Sequence, residues 1–119
     1  MANILFVDDT EDNRNLAENY LTGKGHNISL AIHGQQGLDT LLTLENLDII
    51  FTDHDMPIMN GLEFSRTVKT YPKYSAYQQV PIVGMGNFHD NERNYIVELL
   101  KRPFSLSDYI RCIGAYCHK

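Results

Sequence analysis

Four aspartates stand out by where they fall. Asp8 and Asp9 follow the apolar run Ile4-Leu5-Phe6-Val7; Asp53 closes a second run, Leu47 to Asp53, and Asp55 lies two residues on. Short, nearly continuous apolar runs of this kind are expected of strands buried on both faces. In an open parallel sheet, ligands bind beyond the carboxyl ends of the strands, which is where these acids sit. Carboxylates gathered there repel one another and raise one another's pKa unless a cation neutralises them. A hard divalent ion suits the set: Mg²⁺ takes oxygen ligands in octahedral geometry and keeps water or phosphate, whereas zinc would call for Cys or His. One acid at a strand end ordinarily just faces solvent; Asp8, Asp9, Asp53 and Asp55 together argue for a site.

The rest of the chain must position them. From Thr10 or Glu11 to about Gly23, Leu16, Tyr20 and Leu21 recur at helical spacing, and Gly23-Lys24-Gly25 supplies a stop. Ile28 to Ile32 reads as a second strand, followed by a helix with Leu38, Leu41, Leu42 and Leu44 on its apolar face. After the Asp53 strand, Pro57 disfavours helix just before it, and Asn60 with Glu63 has capping-box spacing, so a helix is predicted from about Gly61 to Thr70. Pro72 to Gln79 reads as a polar connection and Val80 to Met85 as a fourth strand. Gly86 to Arg102 is ambiguous by periodicity; a strand at about 97–101 is favoured, which leaves only a short connection before it. Ser105 and Asp108 resemble a capping box for a last helix carrying Leu106, Tyr109, Ile110 and Ile113. Strands alternating with helices imply a parallel sheet covered on both faces by right-handed crossovers.

Composition sets the limits. The 119 residues are 43% hydrophobic and 21% charged, near the globular average, and they form one domain, residues 1–119, without repeats or a low-complexity linker. A net charge of −5 and a pI of about 5.4 argue against direct nucleic-acid binding, which depends on Lys and Arg neutralising phosphates. No apolar run is long enough to span a bilayer and no leader is apparent, so a cytoplasmic location and no membrane partner are expected. Two cysteines, Cys112 and Cys117, are too few for a disulfide framework.

These residues resemble the receiver domain of two-component response regulators over essentially the whole chain. Ile4 to Asp9 matches the family's first strand and acidic pair, Gly34 its usual glycine at the second helix, and Leu47 to Gly61 its hydrophobic strand, phospho-acceptor and Met-Pro-x-x-x-Gly loop. The resemblance implies a flavodoxin-like three-layer α/β sandwich on a five-stranded parallel sheet of order 2-1-3-4-5. It also implies that Asp53 accepts a phosphoryl group from a histidine kinase or phosphotransfer protein. Asp8 and Asp9 would then hold Mg²⁺ with Asp53 and the main-chain carbonyl of Asp55. Charge on the transferred oxygens is neutralised by metal in such in-line transfers, while a carboxylate serves as nucleophile.

Departures from the family pattern fall on its output half. The hydroxyl residue at the end of strand four is replaced by Gly86, the aromatic of strand five by Leu99, and the Lys before Pro by Arg102, with Lys101 one residue earlier. Arg102 or Lys101 contacts phosphate, but not both, since neighbouring strand residues face opposite sides. The Gly86 to Arg102 interval is short, so the fourth helix is expected to be shortened or missing. A downstream partner would use the face from strand four to the last helix. The alternative is a pseudo-receiver, an interaction module working without phosphorylation. Ile49 to Asp55 also resembles the Asp-x-Asp strand of haloacid dehalogenase-type phosphatases, but that motif belongs on a first strand in a longer chain; a non-enzyme is expected. Cys112, Cys117 and His118 read as ordinary helix residues, His54 as a solvated loop histidine, and Tyr71, Tyr74 and Tyr77 as a contact surface or as packing on the adjacent helix.

Overall fold

In the computed structural model, which describes residues 1–117, five strands form one parallel sheet: β1 (Asn3–Val7), β2 (Asn27–Ala31), β3 (Ile49–Asp53), β4 (Ile82–Met85) and β5 (Glu98–Leu100), in the order β2-β1-β3-β4-β5. Four helices accompany them: α1 (Glu11–Gly23), α2 (Gly34–Leu41), α3 (Gly61–Thr70) and α4 (Ser107–Tyr116).

Strand side chains alternate between faces, and here both faces are apolar, so two cores result. Ile4, Phe6, Ile49, Phe51, Val83 and Met85 pack with Ala17 and Leu21 of α1 and Tyr109, Cys112 and Ile113 of α4. On the opposite face Leu5, Val7, Ile50 and Ile82 meet Leu38 and Leu41 of α2 and Phe64 and Val68 of α3. Register pairs Val7 with Thr52 and Asp53 with Met85, so β1, β3 and β4 end at one edge, where the aspartates emerge.

Helix starts follow the local sequence. The Asn60 side chain accepts from the Glu63 N–H at 2.9 Å, the forward half of the expected box. At α4 only the reverse half forms: Ser105 N–H donates to the Asp108 carboxylate at 3.0 Å. Two leucines depart from the periodicity. Leu16 is 55% exposed and Leu42 44% exposed; the buried stripes run instead through Ala17 with Leu21 and through Leu38 with Leu41. The Pro72–Tyr77 stretch is not a bare polar connection but a 3₁₀ segment with Tyr74 buried against the α2/α3 core. Tyr77 donates its hydroxyl to the Leu44 carbonyl at 3.0 Å, while Tyr71 stays exposed.

Between β4 and β5 a single 3₁₀ turn, Asp90–Glu92, occupies the place of a crossover helix. Phe88 and Ile96 fill the space above the sheet that such a helix would cover. They fit because β4 carries glycine beneath them: a Cβ on Gly84 would come within 2.9 Å of the Phe88 ring and 3.0 Å of Ile96. Among the described residues no helix is long and apolar enough to cross a membrane.

Candidate functional site

Asp8, the first acid of the pair before α1, is fully buried and held by the helix it precedes. Its carboxylate accepts from Thr10 N–H at 2.9 Å and from Asn13 Nδ2 at 3.2 Å, and its carbonyl accepts from Arg14 Nη1 at 2.8 Å. The α1 N-terminus thus fixes Asp8 rather than being capped by Thr10, whose side chain makes no cap bond. The roles of Asn13 and Arg14 were not read from the sequence; the only available signal was their place in the first turn after the acidic pair.

Asp53 lies at the end of β3 with one carboxylate oxygen accepting from the His54 N–H at 2.9 Å. One oxygen from each of Asp8, Asp9 and Asp53 falls within 4.8 Å of the others. The electrostatic consequence is direct. Burial, and then the neighbouring Asp8 charge, push the Asp53 carboxyl up to about 6; burial raises Asp8 as well, against hydrogen bonds from Thr10 and Asn13. Arg102 answers part of this charge, its Nη2 lying 3.5 Å from Asp53 and 3.7 Å from Asp8. Arg102, not Lys101, therefore makes the ion pairs with the acids. Lys101 is exposed and lines, with His54, Asp55, Gly86, Asn87, Phe88, His89 and Arg102, a cavity of about 550 Å³ beside the acids. The Arg102-Pro103 bond is cis.

Asp55 places its carboxylate outside the acidic cluster, bonded to His54 Nδ1 at 2.8 Å and Asn87 Nδ2 at 3.1 Å. Gly86, at the end of β4, has φ +90 and faces Asp53: a Cβ there would stand 3.0 Å from its Oδ1. Leu99 is half-buried on β5.

One expectation needs correction. His54 is not a solvated loop residue: it is 9% exposed, with Nδ1 on Asp55, Nε2 on Glu92 at 3.0 Å, and its ring edge-on to Phe88 at 4.8 Å. The partner Glu92 is 38 residues away, so no local spacing announces it. Cys112 is a residue of α4, fully buried, burial pushing its thiol up to about 11. Cys117 donates its thiol to the Asp48 carbonyl at 3.7 Å. His118 lies outside the described residues.

Three carboxylates offering only oxygen, Asp8 buried, Asp53 half-buried and Asp9 exposed, with burial lifting the pKa of Asp8 and Asp53, are the donor chemistry that a hard divalent cation satisfies.

Known proteins carry the same fold and sequence pattern. Residues 4–110 match the family profile described as the response regulator receiver domain. A chemotaxis protein CheY homolog of Campylobacter jejuni is 38% identical over 81 residues, covering 67% of this chain and 60% of that protein. The autoinducer 1 sensor kinase/phosphatase LuxN of Vibrio harveyi is 30% identical over 98% of this chain, which spans 14% of LuxN. Among solved structures, the Vibrio cholerae chemotaxis protein CheY4 superposes with a TM-score of 0.84 at 23% identity, covering 98% of both chains. Response regulator TrrA of Thermotoga maritima, solved in complex with Mg²⁺ and BeF, gives 0.82 at 22% identity over 98% of this chain and 99% of TrrA. With a family match over nearly all of its length, on the sheet order and acidic strand ends described above, this chain belongs to the response regulator receiver domain family.

Proposed function

We propose that this receiver accepts a phosphoryl group on Asp53, in a Mg²⁺-dependent reaction, from a histidine kinase or phosphotransfer protein, and that its output switch differs from the family's usual one. The observation that supports this best is the convergence of Asp8, Asp9 and Asp53 beside the Arg102 guanidinium at one sheet edge. Asp8, Asp9, Asp53 and the main-chain carbonyl of Asp55 are the residues that would hold Mg²⁺. When bound, the ion supplies neutralisation of charge on the phosphoryl oxygens.

The chain's own residues do the rest. An Asp53 carboxylate oxygen attacks the donor phosphorus; the bond from phosphorus to the donor nitrogen breaks, and its electron pair stays on the departing imidazole. The His54 N–H, which already donates to Asp53, orients the carboxylate. Arg102, planar and always charged, places two donors on phosphoryl oxygens where a lysine would place a point charge. Asp8, locked by Thr10 and Asn13, stays in place during the exchange. The downstream partner is proposed to be a protein that reads the face from β4 to α4, and the setting is proposed to be the cytoplasm.

Incubation with Mg²⁺ and a small phosphodonor, followed by intact-mass measurement, tests the reading. The expected result is the gain of one phosphoryl group by the wild type and none by Asp53→Asn. An adduct that persists in Asp53→Asn contradicts it, and no adduct at all favours the interaction-module alternative.

A further inference from the structure

The segment after β4 is joined by side chains to the loop after β3. Asn87 Nδ2 donates to the Asp55 carboxylate at 3.1 Å, and Glu92 meets His54 Nε2 at 3.0 Å. Both contacts start from residues that immediately follow Asp53. His54 holds Asp53 Oδ1 through its main-chain N–H and Glu92 through its ring. Asp55 has its carboxylate on Asn87 and His54. The ring of Phe88, 6% exposed, closes the gap between the two loops by packing edge-on against His54. Gly86, meanwhile, offers no hydroxyl, and at φ +90 with a Cβ position 3.0 Å from Asp53 Oδ1 it has no room for one without displacement.

We infer that His54 with Glu92, and Asp55 with Asn87, act as paired tethers that transmit the chemical state of Asp53 to the crossover segment 87–94. They would thereby perform the task that a hydroxyl side chain at position 86 cannot. The inference rests on Asp53 being the acceptor. The physical argument is geometric. When Asp53 becomes an acyl phosphate, its carboxyl loses the negative charge that the His54 N–H now bonds, and that hydrogen bond must weaken or shift toward the phosphoryl oxygens. A buried ring pinned at both nitrogens cannot re-aim without moving Glu92. His54, Glu92 and Asn87 are thus positioning residues, acting on the loop and not on the transferred group.

The test uses beryllofluoride with Mg²⁺ as the phosphoryl mimic, with two independent readouts: fluorine NMR for adduct formation and amide hydrogen exchange for the loop. In the wild type, adduct formation should change exchange across 87–94 by roughly tenfold, within the ordinary range of coupling between sites. In the Asn87→Ala/Glu92→Ala double variant the fluorine signal should persist and the amides at 10–14, beside Asp8, should still respond. The response at 87–94 should fall below about twofold. His54→Phe, which keeps a ring on Phe88 but removes both ring hydrogen bonds, should give the same uncoupling. A wild-type adduct without a loop response, or an equal response in the double variant, overturns the inference. Absence of a fluorine adduct in the wild type overturns the reading of Asp53 itself, and the inference with it.

Discussion

Asp53 holds its proton to about pH 6, and the sign of that shift decides how the metal-free protein responds to pH. A carboxyl whose folded pKa lies above its ordinary 3.8 contributes stability that is fully present below that value and is lost as pH rises to about 6. Asp53→Asn removes the charge while keeping an acceptor for the His54 N–H. It should therefore stabilise the metal-free protein at pH 7, by about 1–3 kcal/mol at 1.36 kcal/mol per pKa unit, measured by urea denaturation. An Asn variant no more stable than wild type would mean that the acids are better solvated than their burial implies. Gly86 makes the second residue-scale case. Restoring a side chain there does not restore a switch, because any Cβ meets both a positive φ and Asp53. Gly86→Ala should cost about 1–2 kcal/mol, the penalty for placing an L-residue in the left-handed region. Of the candidate site, the aspartates were legible because strand ends are local features. Arg102 against Lys101 was not, since that choice depends on how β5 is phased against β4.

The crossover between β4 and β5 is where this chain departs most from an alternating strand-and-helix plan, and its stability is carried by few side chains. Phe88 has the only large ring in it that is nearly buried, lodged over Gly84 and against His54. Phe88→Ala should cost about 3 kcal/mol, at the lower end for a buried aromatic, and should speed exchange at 87–94 far more than in β1 or α1. Gly84→Val should expel the same ring and give the same local loosening by the opposite route, overfilling. The His54 contacts add a pH dependence of their own. Burial opposes the charged ring, but the hydrogen bonds it donates to the Asp55 and Glu92 carboxylates outweigh it, so the folded pKa lies above the ordinary 6.5. The stabilisation is fully present below 6.5 and is lost as pH climbs through the higher folded value. Loop protection should accordingly weaken on going from pH 6 to pH 8.5, and Glu92→Ala should flatten that profile. The shortness of this crossover was legible from the spacing of Gly86 and Pro103. Its filling by Phe88 and its clasp by His54 were not, because both depend on contacts across the sheet edge. The exposed Leu16 and Leu42 show the same limit: helical periodicity says which residues share a stripe, and packing against the sheet decides which stripe is buried.

For the whole molecule, the parallel order β2-β1-β3-β4-β5 gathers the ends of β1, β3 and β4 so that one edge concentrates negative charge that burial makes costly. Apolar strands on both faces stabilise the sheet enough to keep that edge in place. The two pH effects run the same way, so the metal-free protein should be most stable near pH 5 and progressively less so toward pH 8. Added Mg²⁺ should raise the Tm at pH 8 and have little effect at pH 5, where Asp53 is largely protonated. How far the sheet order and the acids together amount to a phosphoryl acceptor is tested most directly by locating the adduct. After reaction with a small phosphodonor, peptide mapping should find one hydroxylamine-sensitive phosphoryl group on the peptide containing Asp53, present with Mg²⁺ and absent when the metal is chelated. A phosphoryl group on any other residue, or one equally abundant without Mg²⁺, would contradict the account.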